Sequence, residues 1–247
     1  MERRDRAPVA TFYTTELPPN GGEVSLGGSA AHHAGVRRLS AGDVIRLTDG
    51  CGTYGVGTIR TLRKHELVLD VESVGRTPPL PQLEVLAPVA DRERMLWLAE
   101  KCAELGISVW QPVIFARSRS VAPRGEGDAF AAKVRARMVA ALEQSGGAWL
   151  PEVRLELPLA DAVARTTAHT RYLLDRHGGP LDPALARDGA AVIFGPEGGI
   201  EPAEQVLLDS LGWRRARLAS TTLRFETAGI GAVAVLRAGA VMNHVED

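Results

Sequence analysis

The feature that most constrains this sequence is a change of pattern at the proline-rich segment formed by residues 77–81. Before it, short β-rich runs such as residues 44–48 are separated by glycine-containing turns such as residues 49–52. After it, strand-like apolar runs alternate with runs of helical periodicity. Proline fixes the backbone angle φ and removes an amide donor. The segment is therefore predicted to be an extended connector between two domains, residues 1–76 and 82–247.

Short strands joined by Asp-Gly turns in the first domain favour a small, mostly antiparallel barrel. In the second domain, Asp91 is predicted to cap a helix that ends at Gly106, and Asp128 to cap another. The buried face of that second helix carries Phe130, Val134, Met138 and Ala141. The alternation of strands and helices predicts an α/β domain with a mostly parallel sheet. Its further elements are predicted as strands at 153–157, 171–175, 190–194 and 215–218 and a long helix at 229–242.

One predicted strand carries a local conflict. Residues 107–115 are rich in strand formers, but Pro112 interrupts them. Proline cannot donate to a neighbouring strand, so a regular central strand is not expected over the whole segment.

Composition narrows the class of protein. The 247 residues are 45% apolar and 24% charged, as in ordinary globular proteins. No apolar run approaches the roughly 18–20 residues that a membrane helix needs. The charged start, Met1 to Pro8, has no apolar stretch behind it and does not predict a secretory signal. Two cysteines are too few for a disulfide framework or a zinc site, so a cytoplasmic protein without metal is expected.

A glycine-rich loop follows the most apolar predicted strand. Residues 190–194 are uninterrupted apolar residues, Gly195-Pro196-Glu197-Gly198-Gly199 comes next, and Glu201-Pro202 opens a helix. Open α/β sheets bind ligands at the carboxyl ends of such strands, and glycine lets the backbone approach a ligand closely. The loop matches neither the dinucleotide fingerprint nor the phosphate-binding loop. A tight turn without a ligand is the alternative interpretation.

A second loop, residues 218–228, leads into the last predicted helix. Gly229 and Gly231 each cost about 1 kcal/mol relative to alanine inside a helix. Their presence predicts that something packs very close to the first turn of that helix. Two such loops at neighbouring strand ends could hold one cofactor between them.

These loops carry a resemblance to a known family. Residues 195–199 (GPEGG) and 223–228 (LRFETA) closely resemble the signature of the RsmE family, which are SPOUT-class, S-adenosylmethionine-dependent methyltransferases. The similarity covers nearly the whole chain in order. It includes residues 32–39 (HHAGVRRL), Gly42-Asp43, 100–107 (EKCAELGI), 117–120 (RSRS) and 143–147 (EQSGG).

The resemblance implies a fold and a reaction. The fold is a PUA-like β-barrel for RNA over residues 1–76, followed by an α/β SPOUT domain over residues 82–247 with a deep trefoil knot. The reaction is methylation of N3 of a uridine in small-subunit ribosomal RNA by S-adenosylmethionine. Family members are homodimers whose cofactor pockets lie at the knot beside the partner subunit. Composition and periodicity alone do not predict a knot.

Candidate site residues follow from the two loops. The residues expected to bind the cofactor are Gly195, Pro196, Glu197, Gly198, Gly199, Leu218, Leu223, Arg224, Thr227 and Ala228. The catalytic candidates are Arg224, Glu197 and Glu226, because the uridine N3 proton needs an acceptor and a cation can stabilise the uracil anion. Glu226 could equally be a capping carboxylate at a helix start, and Arg224 could equally hold the cofactor carboxylate.

Charge is distributed unevenly along the chain. The formal net charge is −1, but residues 117–137 hold six basic and two acidic residues, a local +4. Arg117 and Arg119 in this segment, and Arg37 and Arg38 in the first domain, are the RNA-binding candidates. An arginine-rich composition bias would explain the segment equally well. A near-neutral protein is expected to need a shaped, assembled RNA surface, here the small ribosomal subunit.

Two other functional classes compete with the enzyme. A non-catalytic factor for ribosomal RNA assembly could retain the same fold, although costly glycines in both loops argue against an unused pocket. A dinucleotide-dependent enzyme would need a fingerprint that the sequence lacks.

Overall fold

The computed structural model describes residues 7–118 and 124–241, without the side chains of residues 240 and 241. By the contacts between its residues, the chain divides into two compact units. The first unit holds residues 7–79 together with Val139–Leu150, and the second holds the remaining described residues.

The first unit contains a five-stranded sheet. Its elements are β1 (Thr11–Tyr13), β2 (Gly22–Leu26), α1 (Gly28–Val36), β3 (Val44–Thr48), β4 (Thr53–Arg63) and β5 (Glu66–Arg76). The strand order is β1-β3-β4-β5-β2, and every neighbouring pair is antiparallel except β1 with β3. The prediction of a mostly antiparallel sheet is therefore confirmed.

The alternation of side chains along these strands builds the core of the first unit. In β3, Ile45 and Leu47 are buried while Arg46 between them is only partly buried. The core also contains Phe12, Ile59, Leu67 and Leu69, each at most 2% exposed. Burying such large side chains contributes about 1.5–3 kcal/mol each relative to leaving them exposed.

Strand β4 shifts register against β5 between Val56 and Gly57. A Cβ atom on Gly57 would lie 2.2 Å from the carbonyl oxygen of Asp70 and 2.7 Å from Cα of Val71. Both neighbours are backbone atoms, which cannot rotate away. Only glycine allows β4 and β5 to approach this closely.

The second unit is an α/β structure. Its elements are β6 (Leu83–Pro88), α2 (Arg92–Glu104), β7 (Val109–Ile114), α3 (Asp128–Ser145), β8 (Glu152–Val153), β9 (Leu157–Pro158), α4 (Leu159–Ala164), β10 (Thr170–Pro180), β11 (Ala190–Ile193), α5 (Pro202–Ser210), β12 (Arg214–Arg217) and α6 (Phe225–Val241). A 3₁₀ turn covers Pro183–Ala186, and the last residues of α3 belong to the first unit.

All strand pairs of this second sheet are parallel, as predicted. The order is β12-β10-β11-β6-β7-β8, and β9 also pairs with β7. The core beneath it includes Leu86, Val113, Leu173, Ile193 and Trp213. None of the helices in the described part of the chain is long and apolar enough to cross a membrane.

Strand β7 resolves the conflict at Pro112. It runs through the proline and pairs continuously with β6, where Ala87 lies opposite Pro112. On its other side the partner is broken, since β8 pairs with Val109 and Trp110 while β9 pairs with Val113 and Ile114. The strand is thus central, and the missing amide of proline falls where the neighbouring strand is interrupted.

The two predicted helices begin where their sequence signals lie. Asp91 is the N-cap of α2 and accepts a hydrogen bond from the Arg94 amide at 3.0 Å. Asp128 was predicted to cap α3 but is its first residue, and the amides of Phe130 and Ala131 donate to the carbonyl of Gly127 before it. The predicted apolar face of α3 is buried at Phe130, Val134 and Met138. Gly106 follows α2 with a φ of 77°, the left-handed conformation that ends many helices.

We expect Gly57→Ala to lower the free energy of unfolding by about 1–3 kcal/mol, because its methyl group would overpack two backbone atoms. Gly35→Ala in α1 is the matched control, since no atom lies within 4 Å of the Cβ it would gain. There, alanine should be neutral or stabilise by about 0.5–1 kcal/mol. Urea unfolding measures both variants, and equal effects would contradict the close strand approach.

Candidate active site at the carboxyl ends of three strands

A cavity of about 260 Å³ lies at the carboxyl ends of β10, β11 and β12. Because these strands are parallel neighbours, their ends meet at one edge of the sheet. The first turn of α6 closes one side. The lining is mostly apolar side chains and loop backbone, including Leu173, Asp175, Phe194, Gly195, Leu218 and Phe225.

The structure brings six of the ten predicted cofactor residues to this cavity. They are Gly195, Pro196, Gly199, Leu218, Leu223 and Ala228. The other four, Glu197, Gly198, Arg224 and Thr227, are exposed and are not part of the lining. The two loops that were predicted separately therefore enclose a single space.

The turn at Gly199 shapes the loop. Its φ of 74° is a left-handed conformation that glycine adopts without strain, and its amide donates to the Pro196 carbonyl at 2.8 Å. No atom lies within 4 Å of the position a Cβ would take. A side chain at position 199 would therefore meet no neighbouring atom, although Gly199 itself lines the cavity.

The middle of β10, where its pairing with β11 stops and its register against β12 shifts, supplies lining residues that the sequence analysis missed, namely Leu173, Leu174, Asp175 and Arg176. Asp175 accepts a hydrogen bond from the Arg215 guanidinium at 2.8 Å. A signal was available, because the predicted strand 171–175 is followed by Arg-His-Gly-Gly, a third glycine-bearing strand end.

The first turn of α6 separates two environments. Phe225 and Ala228, three residues apart, line the cavity, whereas Glu226 and Gly229 face α2. A Cβ on Gly229 would lie 2.7 Å from Cζ of Phe194 and 2.8 Å from Cδ1 of Leu98. The close packing predicted from the glycines of this turn is thus present at Gly229, and its partners are internal.

A cluster of three charged side chains lies on the α2 side of this turn. Nη1 of Arg94 is 3.4 Å from Oε1 of Glu197 and 4.0 Å from Oε1 of Glu226. Glu197 is about half exposed, but the Glu226 side chain is only 9% exposed. Within the described residues, Oε2 of Glu226 is buried and has no hydrogen-bond partner. Leaving a buried polar atom unpaired costs about 1–3 kcal/mol, and more for a charged group.

Arg117 packs against the glycine-rich loop. Its guanidinium donates to the Gly198 carbonyl at 3.2 Å and lies 3.5 Å from a Glu201 carboxylate oxygen. About half of its side chain stays exposed. Its neighbour in the prediction, Arg119, lies outside the described residues.

Glu204, a residue that the sequence analysis also missed, joins two loops. One carboxylate oxygen accepts from the Ala116 amide at 2.8 Å, and the other accepts from the Glu201 amide at 2.9 Å. The second bond belongs to the capping box that starts α5, with Pro202 in its first turn. The turn after β7 is therefore attached to the start of α5.

The two predicted RNA contacts of the first unit lie just after α1. Arg37 and Arg38 are both exposed, and Arg38 adopts a φ of 57°, which is uncommon outside glycine. The Leu39 amide donates to the Ala34 carbonyl at 3.0 Å and so closes the end of the helix.

Comparison with known proteins agrees with this arrangement. A family model of the RNA methyltransferase domain matches residues 77–237. The ribosomal RNA small subunit methyltransferase E of Mycobacterium bovis is 30% identical over 238 residues, which cover 91% of each chain. The protein of the same description from Mycobacterium tuberculosis gives the same values.

Solved structures extend the similarity to the fold. A ribosomal RNA small subunit methyltransferase E from Neisseria gonorrhoeae, bound to S-adenosyl methionine, superposes with a TM-score of 0.83 at 25% identity, covering 93% of this chain and 97% of its own. A methyltransferase from Legionella pneumophila in complex with the same cofactor gives 0.81 at 26% identity, covering 92% and 96%. The fold and the matched domain together define the class of this protein, which is an RNA methyltransferase. The chain belongs to the RsmE family, the ribosomal RNA small subunit methyltransferases E.

We expect Glu204→Ala to destabilise the site by about 1–3 kcal/mol, because two backbone amides lose their acceptor. Glu204→Gln keeps one acceptor oxygen and should lose less. Amide hydrogen exchange at Ala116 should accelerate in the alanine variant, and thermal unfolding gives the global effect. Unchanged exchange at Ala116 would show that Glu204 does not hold this turn.

Proposed function

We propose that this protein transfers a methyl group from S-adenosylmethionine to N3 of a uridine in small-subunit ribosomal RNA. The observation that carries the proposal is the single cavity enclosed by the two predicted loops at three strand ends. Relatives of similar fold hold S-adenosylmethionine. Membership of the RsmE family supports the ribosomal RNA substrate.

The residues of the cavity fit such a cofactor. Apolar walls from Leu173, Leu218 and Leu223 suit a flat adenine ring, and the loop backbone offers amide and carbonyl groups for its edge. The Asp175 carboxylate suits hydroxyl or ammonium donors. When bound, the cofactor supplies a methyl group attached to a positively charged sulfur. The proposed binding groups are the backbone amides and carbonyls of the two loops, 195–199 and 218–228, with the Asp175 side chain in addition.

The reaction places defined demands on the protein. The N3 proton lies on the Watson–Crick edge of uracil, so the base must be unpaired before the protein can reach it. Among the catalytic candidates, we assign proton acceptance to Glu226, because its buried Oε2 has no donor among the described residues. Glu197 contacts Arg94, as Glu226 does, but its side chain is more exposed. The exposed Arg224 precedes α6 directly, where it could hold RNA phosphate or the cofactor carboxylate.

The finer architecture belongs to the same proposal. Residues 1–76 are proposed as a PUA-like RNA-binding barrel and residues 82–247 as a SPOUT domain with a deep trefoil knot. The protein is proposed to act as a cytoplasmic homodimer. The resemblance of the two loops to the RsmE signature supports these assignments.

RNA contacts are proposed on exposed arginines. Arg37 and Arg38 are exposed in the first unit, and Arg117 is half exposed beside the glycine-rich loop. Arg119 completes the proposed set. Because the net charge is only −1, affinity is expected to depend on the shape of the assembled subunit more than on long-range attraction.

We expect the purified protein to methylate small ribosomal subunits that lack this modification, using S-adenosylmethionine. Digestion of the product RNA followed by mass spectrometry should identify 3-methyluridine. Short, unstructured uridine oligomers should be poor substrates because they lack the assembled surface. A different modified nucleoside would refute the N3 assignment. Cofactor binding without methyl transfer would favour a non-catalytic assembly factor.

We expect Gly199→Ala to weaken cofactor binding measured by calorimetry, because the added methyl group alters a turn that lines the cavity. Gly212→Ala is the matched control, since Gly212 has nearly the same φ, 77°, and equally open surroundings. Both variants should lose roughly 1–2 kcal/mol of stability from the left-handed conformation. Equal affinities in the two variants would place the cofactor elsewhere.

A further inference from the structure

The first turn of α6 carries polar groups as well as the apolar residues that line the cavity. On a neighbouring side of the turn, next to the cavity-lining Phe225, it carries Glu226 toward Arg94 of α2. The glycine-rich loop divides in the same way, because Gly195, Pro196 and Gly199 line the cavity while Glu197 reaches Arg94. The charged cluster therefore shares two backbone segments with the cavity but does not contribute to its lining.

The cluster combines unused donors with an unused acceptor. Arg94 contacts both carboxylates through Nη1, so among the described residues its Nη2 and Nε groups have no acceptor. The Arg94 side chain as a whole remains 40% exposed. The buried Oε2 of Glu226 has no donor. A ligand that satisfies both must present an acceptor next to a donor.

The Watson–Crick edge of uracil has this pattern, since its N3–H donor lies between two carbonyl acceptors. We infer that Arg94 and Glu226 together bind that edge of the target base. Arg94 donates to one uracil carbonyl, and Glu226 Oε2 accepts from N3–H. This inference rests on the proposed function and adds Arg94, a residue outside both signature loops, to the substrate site. Cytosine has a lone pair at N3 and would face the Glu226 carboxylate unfavourably.

The same arrangement assigns a role to each side chain in proton removal. The N3–H bond breaks, a new O–H bond forms on Glu226 Oε2, and the electron pair remains on N3. The negative charge spreads onto the two uracil carbonyl oxygens, where the Arg94 guanidinium stabilises it. The departing proton and the incoming methyl group share one direction at N3. Arg94 must therefore hold the anion once the proton has left.

The test compares Arg94→Gln, Arg94→Lys and Glu226→Gln with Arg154→Gln. Arg154 is a suitable control because its guanidinium also binds a carboxylate, Glu152 at 2.8 Å, in the same unit. Arg94→Gln should lower kcat on small subunits about 10²-fold, the size of effect seen when one donor to a developing anion is removed. Arg94→Lys should retain an intermediate rate. Calorimetry should give unchanged cofactor affinity for all four variants, since none of these residues lines the cavity.

A pH profile separates catalysis from structural support. In Glu226→Gln hydroxide must take the N3 proton, so the rate should rise about tenfold per pH unit through the alkaline range. Among residues 7–118 and 124–241, the charged groups facing Glu226 are Arg94 from α2 and Glu197 from the glycine-rich loop, and both remain in that variant. The wild-type rate should depend less steeply on pH.

Two results would overturn the inference while leaving the proposed function intact. Weakened cofactor binding in Arg94→Gln or Glu226→Gln would assign these residues to the cofactor site. A kcat within about twofold of the Arg154→Gln control would exclude them from the substrate site. Failure of the wild-type protein to methylate small subunits would instead refute the proposed function itself, and this inference with it.

Discussion

The contact that organises the second unit is the close approach of α6 to the sheet at Gly229. A side chain at this position would collide with Phe194, the residue that follows β11, and with Leu98 of α2. This contact fixes the rotation of the helix about its axis. The rotation decides that Phe225 and Ala228 face the cavity while Glu226 faces Arg94. A small rotation of α6 would move the Glu226 carboxylate away from the Arg94 guanidinium.

The same helix is also held farther along its length. The Arg237 guanidinium is buried and donates to the carbonyl groups of Pro81 and Gly106. Burial lowers the pKa of this arginine to about 10, because the charged form loses hydration. The two carbonyl acceptors offset part of that cost. These bonds attach helix α6 to Pro81, just before β6, and to Gly106, just after α2. Helix α2 is the element that carries Arg94.

Local patterns predicted most of the elements. Period-two and helical periodicities, the cap at Asp91, and glycine at Gly106 identified the parallel sheet and its helices. Pro112 correctly predicted that this strand is not regular throughout, but it did not predict the compensation, which is a gap between the partner strands β8 and β9. That compensation depends on residues about forty positions away, and no local pattern reports it.

The sequence by itself determined which loops matter, because glycine composition at strand ends is a local consequence of backbone freedom. It also carried the resemblance to a family whose membership the comparisons establish. Only the tertiary structure decided which loop residues line the cavity, because side-chain direction depends on how α6 rotates against α2. It likewise decided the partnership of Arg94 with Glu197 and Glu226, residues more than a hundred positions apart. Electrostatic contacts over such separations arise when packing brings elements together, and the sequence encodes them only through that packing.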